Sequence, residues 1–311
     1  MTDIKDLRIV SLLPSATEIV AALGLTDALV GRSHECDYPP EIQDRPVCTK
    51  ARINSERSSA LIHEDVTSLL QNALSIYDIK LDVLEKLKPT HILTQDQCDV
   101  CAVSVKEVEK AVAEMTDSHP QIISLQPKHL TDVWADIQKV KESMGADSAP
   151  VLKDLESRVK IVEQKTSSLL DAELLNVACI EWTDPLMIGS NWIPELVKIA
   201  GGNPLFSVDG QPSHLLKWES LVTSNPDVII FMPCGFDLNR TRQEATLFVQ
   251  QHLEEWQNLH AVKNSRVYIT DGNAFFNRPG PRLADSLEIL AEILHPEIFD
   301  YGYQHKAWEL L

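Results

Sequence analysis

Residues 8–18 read Arg8-Ile9-Val10-Ser11-Leu12-Leu13-Pro14-Ser15-Ala16-Thr17-Glu18, and this segment indicates the fold class of the whole chain. Arg8–Leu13 is a mostly apolar run that predicts a buried strand. Ser15-Ala16-Thr17-Glu18 has the spacing of a capping box, so a helix is predicted to begin there and to end at Gly24. A strand followed at once by a helix is the repeating unit of an α/β fold.

The same alternation recurs on both sides of a helical segment. Short apolar runs alternate with amphipathic ones over residues 1–128 and again over 173–311, which favours parallel strands linked by helices. No strand is predicted within 129–172. A helix over 148–171 would be about 36 Å long, either a rigid spacer or one more surface helix. We favour the spacer, and therefore predict an α/β protein with two Rossmann-like lobes of parallel sheet joined by one long helix.

Individual elements follow from periodicity and from the residues that end helices. Pro89, Gly145 and Pro296 each stop a helical pattern. The predicted strands after the first are Ala28–Gly31, His91–Thr94, Gln121–Leu125, Leu175–Trp182, Asp227–Met232 and Val267–Thr270. The predicted helices that flank them are Leu81–Leu87, Val103–Met115, Leu130–Met144, Ile193–Ala200, Thr241–His252 and Leu283–Leu294.

Composition excludes several classes of function. The 311 residues carry a formal net charge of −18, and such a surface repels phosphate backbones and anionic lipid, so nucleic-acid binding is not expected. No apolar run approaches about 18 residues, so membrane insertion is not expected either. The amino-terminal residues do not form a secretory leader. We expect a monomer that is cytoplasmic as given, or periplasmic if a leader has been removed, with no required cofactor.

Ligands of open α/β sheets bind beyond the carboxyl ends of the strands. In the first lobe this rule selects residues that follow three predicted strands: Pro14, Ser15, Arg32, His34, Glu35, Cys36, Tyr38, Gln95, Asp96 and Cys98. In the second lobe it selects Glu181, Trp182, Trp192, Phe236, Asn273, Phe275, Phe276 and Arg278. These two sets are the predicted ligand-binding residues.

Aromatic residues are concentrated at the strand ends of the second lobe. Loops normally carry polar side chains, so rings at one rim predict a pocket for a large, flat, partly apolar ligand. The alternative is that the rings cap the lobe's own core. Arg32 and Arg278 are candidates for pairing with anionic groups of the ligand, although Arg32 could instead be solvated. The five rings are Trp182, Trp192, Phe236, Phe275 and Phe276.

Two short motifs offer metal ligands. His34-x-Cys36 and Cys98-x-x-Cys101 follow neighbouring strands, and these four side chains could hold a tetrahedral zinc ion. The alternatives are idle thiols beside a ligand-contacting His34, and a redox dithiol. A neutral His34 could also coordinate cobalt or iron inside a bound macrocycle.

Catalytic motifs are weak. Cys234 and His34 could form a nucleophile and base, and Glu181 and Asp184 a carboxylate pair, but no third group orients either pair. The nucleotide-binding glycine motifs are missing. We therefore expect a protein that is not an enzyme. The alternative is a cytosolic enzyme that depends on a metal or thiol held by the two motifs above.

Several segments resemble the helical-backbone substrate-binding proteins of ABC importers for cobalamin and ferric siderophores. The resemblance runs over nearly the whole chain, and within that family it is strongest to the branch labelled cobalamin-binding. The family segments are 8–18, Leu84–Pro89, Glu195–Asn203, Pro279–Leu283 and Leu294–Pro296, and the branch segments are His34–Pro39, Gln95–Cys101 and Asp271–Phe276.

The resemblance implies a class III periplasmic-binding-protein fold that holds a small-molecule macrocycle, a cobalamin-like corrinoid, in a cleft between its lobes. It also implies that one carboxylate of each lobe docks onto an ABC permease; by position these are Asp82, where the family favours Glu, and Glu195. Binding of a ferric siderophore or haem is the alternative. A siderophore would need a basic cleft, for which Arg32, Arg278, Lys50 and Arg52 are the candidates.

Overall fold

The structure is a computed structural model that describes residues 6–71, 76–95, 103–116, 118–169 and 174–311. Its contacts divide the chain into two units. The first unit comprises Met1–Arg57, Leu61–Pro127 and Thr131–Lys153, and the second comprises Ser58–Ala60, Lys128–Leu130 and Asp154–Leu311. Each unit contains a sheet with helices, so each is an α/β unit.

The first unit is built on a parallel sheet of four strands in the order β2-β1-β5-β6. A separate antiparallel pair, β3 with β4, accompanies it. The strands are β1 (Ile9–Ser11), β2 (Leu29–Arg32), β3 (Thr49–Ala51), β4 (Tyr77–Ile79), β5 (His91–Gln95) and β6 (Gln121–Leu125). The helices are α1 (Pro14–Ala22), α2 (Ser59–Gln71), α3 (Leu81–Leu87), α4 (Val105–Glu114) and α5 (Leu130–Met144), of which α2 and α5 have their first residues in the second unit.

Helix α1 begins two residues earlier than the predicted capping box places it. Leu13 is the residue that precedes the helix, and no side chain caps it. Pro14 occupies the first turn, where its missing N–H costs no hydrogen bond. Ser15 and Glu18 lie buried within the helix, so the predicted capping box is wrong. The predicted end is confirmed, because Gly24 adopts a φ of +73° just after the last turn.

The second unit contains a mixed sheet, which corrects the prediction of a parallel one. Strands β7, β9, β11 and β12 run parallel, whereas β8, β10 and β13 are antiparallel to their neighbours. The antiparallel strands have only two or three residues each, too few to show an alternating pattern in the sequence. The strands are β7 (Leu175–Thr183), β8 (Leu186–Ile188), β9 (Gly202–Pro204), β10 (His214–Leu215), β11 (Val228–Phe231), β12 (Val267–Thr270) and β13 (Trp308–Leu310).

Helix α6 (Ala149–Thr166) starts in the first unit and continues into the second. Its 18 residues make it about 27 Å long, shorter than predicted. Arg158 fastens it to the second unit through Asp285, at 2.5 Å, and Glu288, at 2.6 Å. The other helices of this unit are α7 (Ile193–Ile199), α8 (Trp218–Ser224), α9 (Leu238–Gln251), α10 (Leu253–Trp256), α11 (His260–Lys263) and α12 (Leu283–Leu294). Within the described ranges, no helix is both long and apolar enough to cross a membrane.

Candidate functional site

In the first unit, the predicted site residues gather at the carboxyl edge of the parallel sheet. Pro14 and Ser15 follow β1, His34 follows β2, and Gln95 ends β5. Because β1 is hydrogen-bonded to both β2 and β5, these strand ends are neighbours. Ser15 and Gln95 are buried, at 2% and 4% exposure. Asp96, Cys98 and Cys101 lie outside the described residues.

Arg32 holds the loop that follows β2. Its guanidinium donates to the carbonyl oxygens of Ser33 at 3.2 Å, Cys36 at 2.9 Å and Gln43 at 2.9 Å. A guanidinium with three carbonyl acceptors of its own loop has few donors left for a ligand. Arg32 is therefore not simply solvated, and its pairing with anionic ligand groups stays a prediction.

His34 is oriented by its neighbours in that loop and in strand β3. Its Nδ1 lies 2.7 Å from Oγ1 of Thr49, and its backbone N–H donates to the same oxygen at 3.0 Å. Burial lowers the pKa of His34, and the positive charges of Lys80 and Arg32 lower it further. The imidazole is therefore held neutral in one orientation.

The remaining residues of this loop have distinct environments. Tyr77 on β4 donates to Oε1 of Glu35 at 2.8 Å, and its ring packs beside that of His34 with centroids 5.2 Å apart. Cys36 is 1% exposed, and its Sγ accepts a hydrogen bond from Thr17 at 3.0 Å. Tyr38 is 46% exposed. Sequence reasoning missed Thr49 and Tyr77, because they lie on three-residue strands that carry no periodic signal.

The structure supplies no support for the predicted zinc site. Among the residues that the structure describes, no three histidine, cysteine, aspartate or glutamate side chains are grouped as metal ligands. Cys36 is buried with its sulfur bonded to Thr17, whereas Cys98 and Cys101 are not described. The four-ligand site remains a prediction.

In the second unit, the turn after β12 is fastened to the turn after β11. Asn277 donates through Nδ2 to the carbonyl oxygen of Met232 at 3.0 Å. The backbone N–H of Asn273 donates to the carbonyl oxygen of Phe236 at 3.1 Å. Gly272 permits this contact, because a Cβ atom there would lie 2.2 Å from the carbonyl oxygen of Pro233. Residues 272–276 form a π-helical turn whose start is capped by Asp271.

The five predicted rim aromatics divide into buried and partly exposed rings. Three of them pack inside the protein: Trp192 (7% exposed), Phe236 (5%) and Phe276 (0%). Trp192 also donates through Nε1 to the carbonyl oxygen of Phe276 at 2.9 Å. Their burial favours the alternative that they cap the core of this unit, and their contact with a ligand stays a prediction. Trp182 and Phe275 remain partly exposed.

Arg278 is buried as well, with 5% exposure, and donates through Nη2 to Oδ1 of Asn273 at 2.9 Å. Its guanidinium supports the turn that contains it, and its pairing with an anionic ligand group stays a prediction. Asn273, in turn, has its side-chain oxygen engaged by that bond.

Glu181 sits in a bulge of strand β7. Ile180 pairs with Ile188 and Trp182 with Met187, so Glu181 is the extra residue on its strand. Ser213 donates to its Oε2 at 2.7 Å. Burial raises the pKa of Glu181 to about 7, against the opposing effect of the Ser213 hydrogen bond. A carboxyl group at this strand end is therefore close to half protonated at neutral pH.

The two predicted docking carboxylates differ in exposure. Asp82, in the first turn of α3, has 75% of its side chain exposed and lies 3.6 Å from Nζ of Lys86. Glu195, in the first turn of α7, has 28% exposed, and its Oε2 accepts a hydrogen bond from the N–H of Leu130 at 2.8 Å. Asp82 is thus the more accessible of the two.

Comparisons with known proteins agree with this architecture. Residues 147–274 match the model of the periplasmic binding protein family. The ABC-transporter substrate-binding lipoprotein YvrC of Bacillus subtilis is 23% identical over 94% of this chain and 81% of its own. The vitamin B12-binding protein of Vibrio vulnificus is 22% identical over 92% and 89%. The haem uptake protein IsdE of Staphylococcus aureus is 26% identical over 60% and 62%.

Solved structures show the same fold. The periplasmic vitamin B12-binding protein BtuF of Vibrio cholerae superposes with a TM-score of 0.65 at 20% identity, over 93% of this chain and 96% of its own. A periplasmic haem-binding protein of Pseudomonas aeruginosa gives 0.71 at 15% identity, over 94% and 93%. The predicted class III fold is therefore confirmed, and so is the resemblance to substrate-binding proteins of ABC importers.

Proposed function

We propose that this chain is the substrate-binding protein of an ABC importer and that it binds a cobalamin-type corrinoid without catalysing a reaction. The relatives named above support the general role, since they are described as binding or uptake proteins. The likeness to the vitamin B12-binding protein extends over 92% of this chain, against 60% for the haem uptake protein. Among the solved structures the two ligand classes cover this chain equally, 93% for BtuF and 94% for the haem-binding protein of Pseudomonas aeruginosa, so the choice of a corrinoid rests on the side chains of the site.

The choice of ligand is based on which basic side chains remain available to bind an anion. Of the four cations that a ferric siderophore would require, Arg32 is bonded to loop carbonyls, Arg278 is buried, and Arg52 is paired with Asp78. Only Lys50 of those four is left for an anionic ligand. A corrinoid ring is edged mainly by neutral amides, so it does not need a cluster of cations.

Partly exposed rings supply the apolar contact that a macrocycle requires. Tyr38 in the first unit, and Trp182 and Phe275 in the second, keep part of their surface accessible. Burial of apolar surface contributes about 25 cal/mol per Å², so several hundred Å² support micromolar or tighter binding after the costs of association.

Calorimetric titration tests the proposal with cyanocobalamin, cobinamide, haemin and ferrichrome as separate ligands. We expect heat from the corrinoids, and about tenfold weaker corrinoid binding by Trp182→Ala. Tyr301→Ala, which removes another partly exposed ring, serves as the matched control and should bind as the wild type does. Binding of ferrichrome without binding of either corrinoid would overturn the proposal.

Delivery to a permease is the second half of the proposal. It places the protein outside the membrane that holds the permease, and the relative YvrC is a lipoprotein. We propose that Asp82 and Glu195 dock onto basic permease residues. Asp82→Ala should then reduce ligand-stimulated ATPase activity of the reconstituted importer while leaving ligand affinity unchanged. Lost affinity with unchanged stimulation would contradict this assignment.

A further inference from the structure

The hydrogen bonds around His34 determine which of its ring nitrogens carries the proton. Oγ1 of Thr49 donates its single hydrogen to Oγ of Ser33 at 3.0 Å. The same oxygen, 2.7 Å from Nδ1, can therefore only accept from the ring. The proton sits on Nδ1, and Nε2 keeps its lone pair.

The surroundings of Nε2 leave that lone pair available. Oε1 of Glu35 lies 3.9 Å away, which is beyond hydrogen-bonding distance. That carboxylate oxygen instead accepts the hydroxyl hydrogen of Tyr77 at 2.8 Å. About a quarter of the His34 side chain, 26%, is exposed.

The support behind the ring is rigid. Thr49 is 1% exposed and Ser33 is 4% exposed, so the hydrogen-bonded pair behind Nδ1 is shielded from water. The N–H of Glu35 donates to Oγ of Ser33 at 3.3 Å, which ties the loop to the same pair. A buried acceptor on one ring nitrogen and an open lone pair on the other is the arrangement of metal-ligating histidines, whose far nitrogen donates to a fixed partner.

We infer that Nε2 of His34 coordinates the metal at the centre of the bound macrocycle, with Thr49 and Ser33 as positioning residues. This inference rests on the proposed function and narrows it, because the ligand must have an axial position that is open or occupied by water. On binding, the Nε2–metal bond forms and the metal–water bond breaks. The water molecule leaves, and the oxidation state of the metal does not change. Among corrinoids, the inference selects those whose lower axial position is not filled by their own base.

Spectrophotometric titration of the full chain with diaquacobinamide tests this inference. We expect the visible bands of the corrinoid to shift when nitrogen replaces water. His34→Ala should lose the shift and bind 10- to 100-fold more weakly, and added imidazole should restore the shift. Thr49→Val, which removes the partner of Nδ1 together with the hydrogen bonds of the same oxygen to the His34 N–H and to Ser33, should bind about tenfold more weakly. His119→Ala removes an exposed histidine of the same unit and should match the wild type.

The possible outcomes separate this inference from the proposed function. Equal affinity and equal spectra for wild type and His34→Ala, with thermal melting showing that the variant is folded, would overturn the inference and leave the proposed function intact. His34→Gln keeps a polar side chain and provides the same comparison if His34→Ala does not fold. If the wild type binds no macrocycle, both the inference and the proposed function are wrong. Binding of haemin but not of cobinamide, with dependence on His34, would uphold the coordination and overturn the corrinoid.

Discussion

The loops at the carboxyl edges of the two sheets occupy equivalent positions in their own units, but they differ in whether their side chains are accessible or buried. In the first unit, the loop after β2 is held by Arg32 and Thr49, and its hydrogen bonds leave one nitrogen of His34 accessible. In the second unit, the turn after β12 folds back onto the turn after β11 and buries Phe276 completely. Position at a strand end therefore predicts that residues meet, but packing decides whether they face a ligand.

The largest expected effect separates the two adjacent rings of the second loop. Phe276→Ala should reduce the free energy of unfolding by about 4 kcal/mol, because it empties a fully buried site. Phe275→Ala should cost only about 1 kcal/mol, because its ring is already partly exposed, and should weaken corrinoid binding instead. Chemical denaturation and calorimetric titration measure the two quantities. Equal destabilisation by both substitutions would show that the two rings do not differ in role.

The close approach of the two turns provides the next test. Gly272→Ala should cost about 3 kcal/mol of unfolding free energy, since the new Cβ would meet the backbone of Pro233 and Met232. Gly235→Ala, in the partner turn, has open space and a φ of +76°, so only backbone strain of about 1 kcal/mol is expected. Denaturant unfolding of both variants gives the comparison. A harmless Gly272→Ala would mean that the turns are not packed as described.

The first loop has a smaller expected effect. Arg32→Met should lower the free energy of unfolding by about 2 kcal/mol, because three carbonyl oxygens lose their donor. Corrinoid affinity should fall with it, since the loop that positions His34 is loosened. Lys50→Met, which removes an exposed cation nearby in sequence, is the control and should change neither quantity. Lost affinity for an anionic ligand without lost stability would instead restore Arg32 as a ligand-binding residue.

Two carboxyl groups, Glu181 in the second unit and Asp136 in the first, make stability depend on pH. The folded state raises the pKa of Glu181 from 4.5 to about 7 and that of Asp136 from 3.8 to about 6. In both cases the protonated form is favoured by folding, so stability falls as pH rises through each window and is restored as pH falls. Glu181→Gln should remove the decline between about pH 4.5 and 7, and Asp136→Asn the one between about pH 4 and 6. The measurement is the melting temperature of the wild type and of both variants as a function of pH. If the variants show the same dependence on pH as the wild type, these two groups titrate normally and the prediction is wrong.

The elements with strong boundary signals could be predicted from the sequence. Helices α3, α5 and α12 and strands β6 and β12 have the predicted bounds, because Pro89, Gly145 and Pro296 end the three helices and apolar periodicity fills them. The short antiparallel strands β8, β10 and β13 could not be predicted, since two or three residues carry no period.

The site was only partly predictable for a related reason. The strand-end rule located His34, Glu181 and Trp182, because it depends on chain order alone. Burial of Trp192 and Arg278 depends on tertiary packing that the order of residues does not reveal. Thr49 reaches His34 from the β3–β4 pair, whose strands are too short to be recognised in the sequence.

Equilibrium dialysis of the full chain against an equimolar mixture of cobinamide, haemin and ferrichrome puts the competing ligands in one experiment. The proposed function and the role inferred for His34 predict that cobinamide is retained with the protein at about one equivalent, with its cobalt bound to nitrogen. Retention of ferrichrome or haemin in its place, or of none of the three, would contradict the assignment of a corrinoid-binding protein.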